Sequence, residues 1–213
     1  MAKQKSTVVY KMEECMPAAL TPRRRNAAAT RDAILISARR AFARSGYDGA
    51  GVREIAAGAG VTAMLVNRYF GSKERLFAEV IASTMATPTI LTPENLALPN
   101  LGQTIARTLV EITKADDTPL EGFLIMLHSA SSKRASEIGR GQIEAGHQKT
   151  MASALAGNLA PQRAALILSL VAGFQVMRQM MGLSALADAD PEDLVVLLTP
   201  LFNALIAGES SAG

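Results

Sequence analysis

With 213 residues, of which 49% are hydrophobic and 19% charged, the chain is too apolar to remain a disordered polymer and long enough for one large domain or two small ones. Aromatic residues make up 4% and Trp is absent, so the core is built from Ala, Leu, Ile, Val and ten Met, an alphabet that favours helices; the single Cys15 excludes an internal disulfide or a cysteine metal site and suits a reducing cytoplasm. The net charge of +3 is unevenly spread: residues 1–75 hold 14 Lys/Arg against 6 Asp/Glu and residues 76–213 hold 8 against 13, so a basic, polyanion-binding first third precedes an acidic remainder with another task.

Residues 1–20 lack stable periodicity and any apolar run of signal-peptide type, and read as a mobile N-terminal arm. From about Arg25 to Ser45, Ile34, Leu35, Ala38, Ala41 and Phe42 recur at three- and four-residue spacing with arginines on other faces, which predicts a helix closed by Gly46. Tyr47 turns back toward the core, and Asp48-Gly49-Ala50-Gly51 is a turn. Short helices follow from Val52 to about Gly58 and from Thr62 to about Phe70; Ser72 then N-caps a helix reaching about Ala86. Pro88, Pro93 and Pro99 make 87–100 an irregular connection.

Further helices are expected at about 100–114, 119–131, 134–157, 161–183 and 191–207, with Pro119, Pro161 and Pro191 near helix starts. Pro200 should kink or interrupt the last one. The longest apolar stretch, Ala164 to Met177, has 14 residues between Arg163 and Arg178. A bilayer span needs roughly 20, so no membrane partner is expected. With no strand signal and no repeat, the fold is read as all-α, with about nine helices.

The segment Val52 to Phe70 meets the steric demands of a helix-turn-helix. Ala56 is small where two steeply crossing backbones approach, Gly60 tolerates a positive φ in the turn, and Thr62 stands where the second helix needs an N-cap. Ile55, Ala59, Val61, Val66 and Tyr69 seal the angle. The second helix would present Thr62, Ala63, Met64, Leu65, Asn67 and Arg68 outward, with the positive end of its dipole toward a phosphate backbone. Arg25 and Arg53 add positive charge.

On these residues, the stretch from Thr30 to Phe77 resembles the DNA-binding domain of TetR-type bacterial transcriptional regulators. The likeness runs through Ile34, Leu35, Ala38, Phe42, Gly46 and Tyr47, through Ile55-Ala56 and Ala59-Gly60-Val61, and through Phe70-Gly71-Ser72-Lys73-Glu74-Arg75-Leu76-Phe77. The resemblance implies a homodimer on a palindromic operator, a repressor released by a small ligand, a recognition helix from Thr62 to Tyr69, and a phosphate-contacting Lys73. Two positions depart from the family pattern. Gly51 stands where Thr or Ser often precedes the second helix, and Asn67 stands where Tyr is common and can pair bidentately with adenine. The expected layout is a helix-turn-helix domain at 21–72 and a ligand-binding and dimerisation domain at 73–213, joined through the single helix from Lys73 to Ala86.

The remaining two-thirds resembles a regulatory domain of the same family more weakly, through Gly173 to Arg178 and Asp190 to Leu201. The 161–183 and 191–207 helices are apolar on nearly every face and so are buried on two sides. Leu166, Leu170, Leu194, Leu198, Leu201 and Phe202 are the candidate dimer interface. Met85, Ile105, Leu109, Phe123, Met126, Leu127, Met151, Phe174 and Met177 are candidates to line a pocket for an apolar effector, with core filling as the alternative. His128 and His147 lie too far apart in sequence for a metal pair on one helix, and neither a phosphate loop, a dinucleotide fingerprint nor a nucleophile elbow occurs. No catalytic residue, metal or cofactor is therefore expected. The competing readings are a DNA-binding regulator without a small-molecule effector and a helical adaptor that binds only proteins.

Overall fold

The computed structural model describes residues 22–86, 88–114 and 120–208, and for 22–26 the backbone alone. The expected arm, residues 1–20, and the side chain of Arg25 lie outside the described residues. Helix α1, Pro22–Gly49, is broken at Gly46, whose φ of 65° and ψ of −177° fall in a region open essentially to glycine alone. Helices α2 (Val52–Gly58), α3 (Ala63–Phe70) and α4 (Lys73–Met85) follow. The hydroxyls of Thr62 and Ser72 accept from the N–H groups of Leu65 and Arg75, both at 3.3 Å, and so cap α3 and α4. Gly51 has no side chain to cap α2; the Glu54 carboxylate accepts its N–H at 3.5 Å instead.

These helices close over one core. Ile34, Ala38 and Phe42 from α1 meet Ile55, Val66 and Phe70, and α4 contributes Leu76, Phe77, Val80 and Ile81. The Phe77 ring stands edge-on to Phe42 and Tyr47, with centroids 5.0 Å away in both cases. Ser37 donates to the carbonyl of Ile55 at 2.8 Å, fastening α2 to α1.

After a short helix α5, Pro93–Leu96, come α6 (Leu101–Ile112), α7 (Glu121–Ser129) and α8 (Lys133–Ile143). A π-helical turn, Glu144–Gln148, joins α8 to α9 (Lys149–Ser153). Helix α10 (Ala160–Gln175) runs into a second π turn, Val176–Met180, followed by α11 (Ser184–Ala187) and α12 (Pro191–Ala207). A second core forms between α6, α9, α10 and α12, around Ile105, Leu109, Met151, Ile167 and Phe202. No strand occurs among the described residues.

Two buried arginines tie this second bundle together. Arg163 of α10 donates to the carbonyls of Leu205 at 3.0 Å and Ile206 at 2.9 Å, serving the C-terminal end of α12. Arg178, in the second π turn, donates to the carbonyl of Val110 at 2.7 Å near the end of α6 and to that of Leu186 at 3.1 Å. Burial pushes the Arg178 guanidinium below its ordinary pKa.

Several expectations are corrected. The 87–100 connection contains α5, capped by the Thr92 hydroxyl accepting from Asn95 N–H at 3.1 Å. The helix expected over 134–157 holds a π turn, and the one over 161–183 gives way to a π turn and α11. Together α10 and its π turn, Ala160–Met180, make 21 residues long and apolar enough to cross a membrane by length and composition, more than the 14-residue apolar run implied. Pro200 does not interrupt α12. Pro200 is exposed and Val196, one turn earlier, is 68% exposed, so the missing hydrogen bond falls on the outer side of the helix.

Helices α1 to α3 meet the following helices through more than α4. Ile125 of α7 and Ala135 of α8 belong to the first core. At Gly46, α1 comes so close to α7 that an added Cβ would lie 2.2 Å from the carbonyl oxygen of His128. The N–H of Tyr47 donates to Ser129 Oγ at 2.9 Å, and His128 Nδ1 lies 2.6 Å from the carbonyl of Ala43. The seam between α1 and α7 is thus a second bridge, in which backbone groups of α1 meet the side chains of His128 and Ser129, a proximity that no local pattern announces.

Candidate DNA interface

The turn between α2 and α3 is built by backbone chemistry. Gly60 takes a φ of 66°, and the N–H of Val61 reaches back to the carbonyl of Ala56 at 2.9 Å. Ile55 and Ala56 are buried beneath it. Along α3, Val66 and Phe70 face the core, with Ala63 and Tyr69 half-buried against it. The opposite side is left to solvent: Thr62, Asn67 and Arg68 are exposed, and Met64 is 81% exposed. Leu65 is half-buried, and Arg53 is exposed on α2.

Met64 therefore stands in solvent beside Asn67 and Arg68 on one side of α3. Such a face offers hydrogen-bonding groups for base edges and an apolar group for a thymine methyl. The free N–H groups at the start of α3 add a partial positive charge.

Lys73 opens α4, half-buried, with its Nζ 4.6 Å from the centroid of the Tyr47 ring. The phenol is pushed above its ordinary pKa by burial first and then by the Glu74 carboxylate, to which it hydrogen-bonds. Glu74 is itself held below the ordinary carboxylate range, chiefly by a hydrogen bond from its own N–H and then by the Ser72 hydroxyl. The lysine is therefore held over an aromatic face at the mouth of a helix. The sequence pattern had Tyr47 only as a core residue; its part as the platform for Lys73 needs the turn at Gly46 to bring it there. Arg31 braces the same domain, with its guanidinium 5.0 Å over the Phe70 ring and an ion pair to Glu79.

The family model described as "Bacterial regulatory proteins, tetR family" matches residues 34–80, and "Tetracyclin repressor-like, C-terminal domain" matches residues 100–206. The chain belongs to the TetR family. It is a DNA-binding transcriptional regulator, and the family comprises regulators rather than enzymes.

Solved structures show the same fold. A TetR-family regulator from Streptomyces coelicolor A3 superposes with a TM-score of 0.54 at 23% identity, covering 84% of this chain and 95% of that one. A transcriptional regulator from Rhodococcus sp. Rha1 does so at 0.59 and 22%, covering 82% and 95%. AibR, solved in complex with isovaleryl coenzyme A and operator DNA, matches at 0.53 and 15%, covering 81% and 97%. No curated protein matches the chain.

In this TetR-family regulator the nine residues expected to line one pocket do not come together. Ile105, Leu109, Met151 and Phe174 are buried in the second core, while Met85 and Met126 pack against the first. Phe123 and Leu127 are half-buried on α7, and Met177 is 49% exposed. Of the nine, Met126 lines the cleft of about 330 Å³ between α7 and α8. The six expected dimer residues divide too. Leu194, Leu198 and Phe202 are buried in the regulator's own second core, Leu170 is half-buried, and Leu166 and Leu201 are exposed. A helix apolar on every face does not disclose which stripe its own subunit takes.

Four further residues, not among those six, are exposed on the outside of the same elements. Met177, Met181, Val196 and Leu197 are exposed together with Leu166 and Leu201, all on α10, α12 and the segment after α10.

Proposed function

We propose that this regulator is a repressor acting in the cytoplasm, that it binds a palindromic operator as a homodimer, and that a small molecule held in its helical regulatory domain releases it. The observation that carries the proposal is the outer face of α3, with Thr62, Met64, Asn67 and Arg68 in solvent beside the platform-mounted Lys73. One such helix reads only a few base pairs; a two-fold pair in successive major grooves, about 34–36 Å apart, reads a palindrome. The exposed apolar stripe on α10 and α12 favours the dimer, because exposed Met and Leu at this density find their stability against another subunit. The AibR complex, with both isovaleryl coenzyme A and operator DNA, favours ligand control.

The test begins with selection of bound sequences from random duplexes, followed by affinity measured against salt. Each neutralised phosphate contributes about −0.9 to the log–log slope. Lys73→Ala should flatten the slope by about one unit and leave the preferred sequence unchanged. Arg68→Ala or Asn67→Ala should instead change which bases are preferred. The reverse pattern would overturn the assignment of roles, and salt-insensitive affinity would refute the phosphate contacts.

A further inference from the structure

The cleft between α7 and α8, about 330 Å³, is of a size that holds a small ligand. Ser136, Arg140, Glu144 and Gln148 recur along one wall at four-residue spacing, and the π turn begins at the third of them. Single π turns inside longer helices recur at functional sites. Met126, Ala135 and Ile143 give the cleft an apolar side. Arg140 and Glu144 are exposed, and among the described residues neither forms an ion pair, with each other or with anything else.

This charge pattern selects its occupant. A purely anionic ligand would gain from Arg140 and be repelled by Glu144 one turn on. A purely apolar ligand would fill the apolar side and pair with neither charge. A ligand carrying both signs, with an apolar body between or beside them, satisfies all three surfaces. Four residues of helix advance about 6 Å, and an extended dipeptide reaches about 7 Å from end to end.

The cleft also touches the seam to the DNA-binding helices. Ser129 is among its lining residues, and the Ser129 hydroxyl oxygen accepts the N–H of Tyr47 at 2.9 Å. Tyr47 in turn carries Lys73 on its ring.

We propose that this cleft is the effector site and that it takes a small zwitterion with an apolar body, its carboxylate on Arg140 and its ammonium on Glu144. The inference rests on the ligand control proposed above. It replaces an apolar effector in a Met- and Phe-lined pocket by a two-charged ligand in a largely apolar cleft edged by two exposed charges, with Ser129 passing occupancy to Tyr47.

The probe is leucyl-leucine, compared by calorimetry with its N-acetyl derivative and its C-terminal amide. Wild-type protein should bind the free dipeptide at least tenfold more tightly than either capped form. Arg140→Gln should erase the preference over the amide, and Glu144→Gln the preference over the N-acetyl form. Both side chains are exposed, so these variants leave the cores untouched. Absence of binding heat, equal affinity for all three compounds, or preferences unchanged in both variants would overturn the site. Operator affinity measured alongside separates the two proposals. Dipeptide binding with the stated preferences but no change in operator affinity would uphold the site and refute ligand control.

Discussion

Replacing Gly46 by Ala tests the seam between the DNA-binding helices and the regulatory bundle. Two costs arise from the structure. The backbone at φ 65° and ψ −177° is strained for any residue with a Cβ, by about 1–3 kcal/mol. The added carbon would also lie 2.2 Å from the His128 carbonyl oxygen and 2.8 Å from its carbon. These are backbone atoms, so α7 has to move as a body, and overpacking of this kind costs about 1–3 kcal/mol more. The expected destabilisation is therefore about 2–6 kcal/mol.

Gly60→Ala is the internal control. Gly60 also has a positive φ, 66°, but nothing lies within 4 Å of its would-be Cβ. It should lose only the left-handed strain, about 1–2 kcal/mol. Urea unfolding followed by circular dichroism, with all proteins at one concentration, measures both. Equal losses for the two variants would refute the close approach of α1 and α7 as the reason for glycine at 46.

The outer and inner stripes of α12 should respond differently to charge. Val196→Glu and Leu197→Glu should give folded monomers in sedimentation, whereas Phe202→Glu, which buries an unpaired carboxylate, should lose several kcal/mol and the fold with it; a dimeric Leu197→Glu protein would refute the proposed interface. His147 should make stability fall with acidification. Burial holds its imidazole below the ordinary value, so its unfolded form binds protons first: the contribution is complete above about pH 6.5 and is lost as pH falls toward the depressed folded value. His147→Gln should lessen the drop in urea midpoint between about pH 7.5 and 5.5, and an undiminished drop would refute the assignment.

The helix-turn-helix was legible because its determinants are local. A positive φ at Gly60, a hydroxyl cap from Thr62 to Leu65 and another from Ser72 to Arg75 each involve residues a few positions apart. The family likeness rests on the same stretch, and so does the outward face of α3, since Val66 and Phe70 must turn inward once the turn is made. What the sequence determined by itself was therefore the helical class and the DNA-reading unit.

Tertiary structure decided the rest, because faces are chosen by partners far along the chain. Leu194, Leu198 and Phe202 look no different in sequence from Val196, Leu197 and Leu201, yet the first three are buried in the second core and the others remain outside. Gly46 read as a helix stop, but its neighbour His128 and the bond from Tyr47 to Ser129, 82 residues away, make it a point of contact between domains. Likewise the methionines expected around one pocket are divided, Met85 and Met126 against the first core, Met151 in the second and Met177 exposed, and the cleft lies between α7 and α8 with the π turn after α8 on its wall. Periodicity reports that a residue is apolar and on a given side of its helix; only the packing of helices against one another says what stands opposite it.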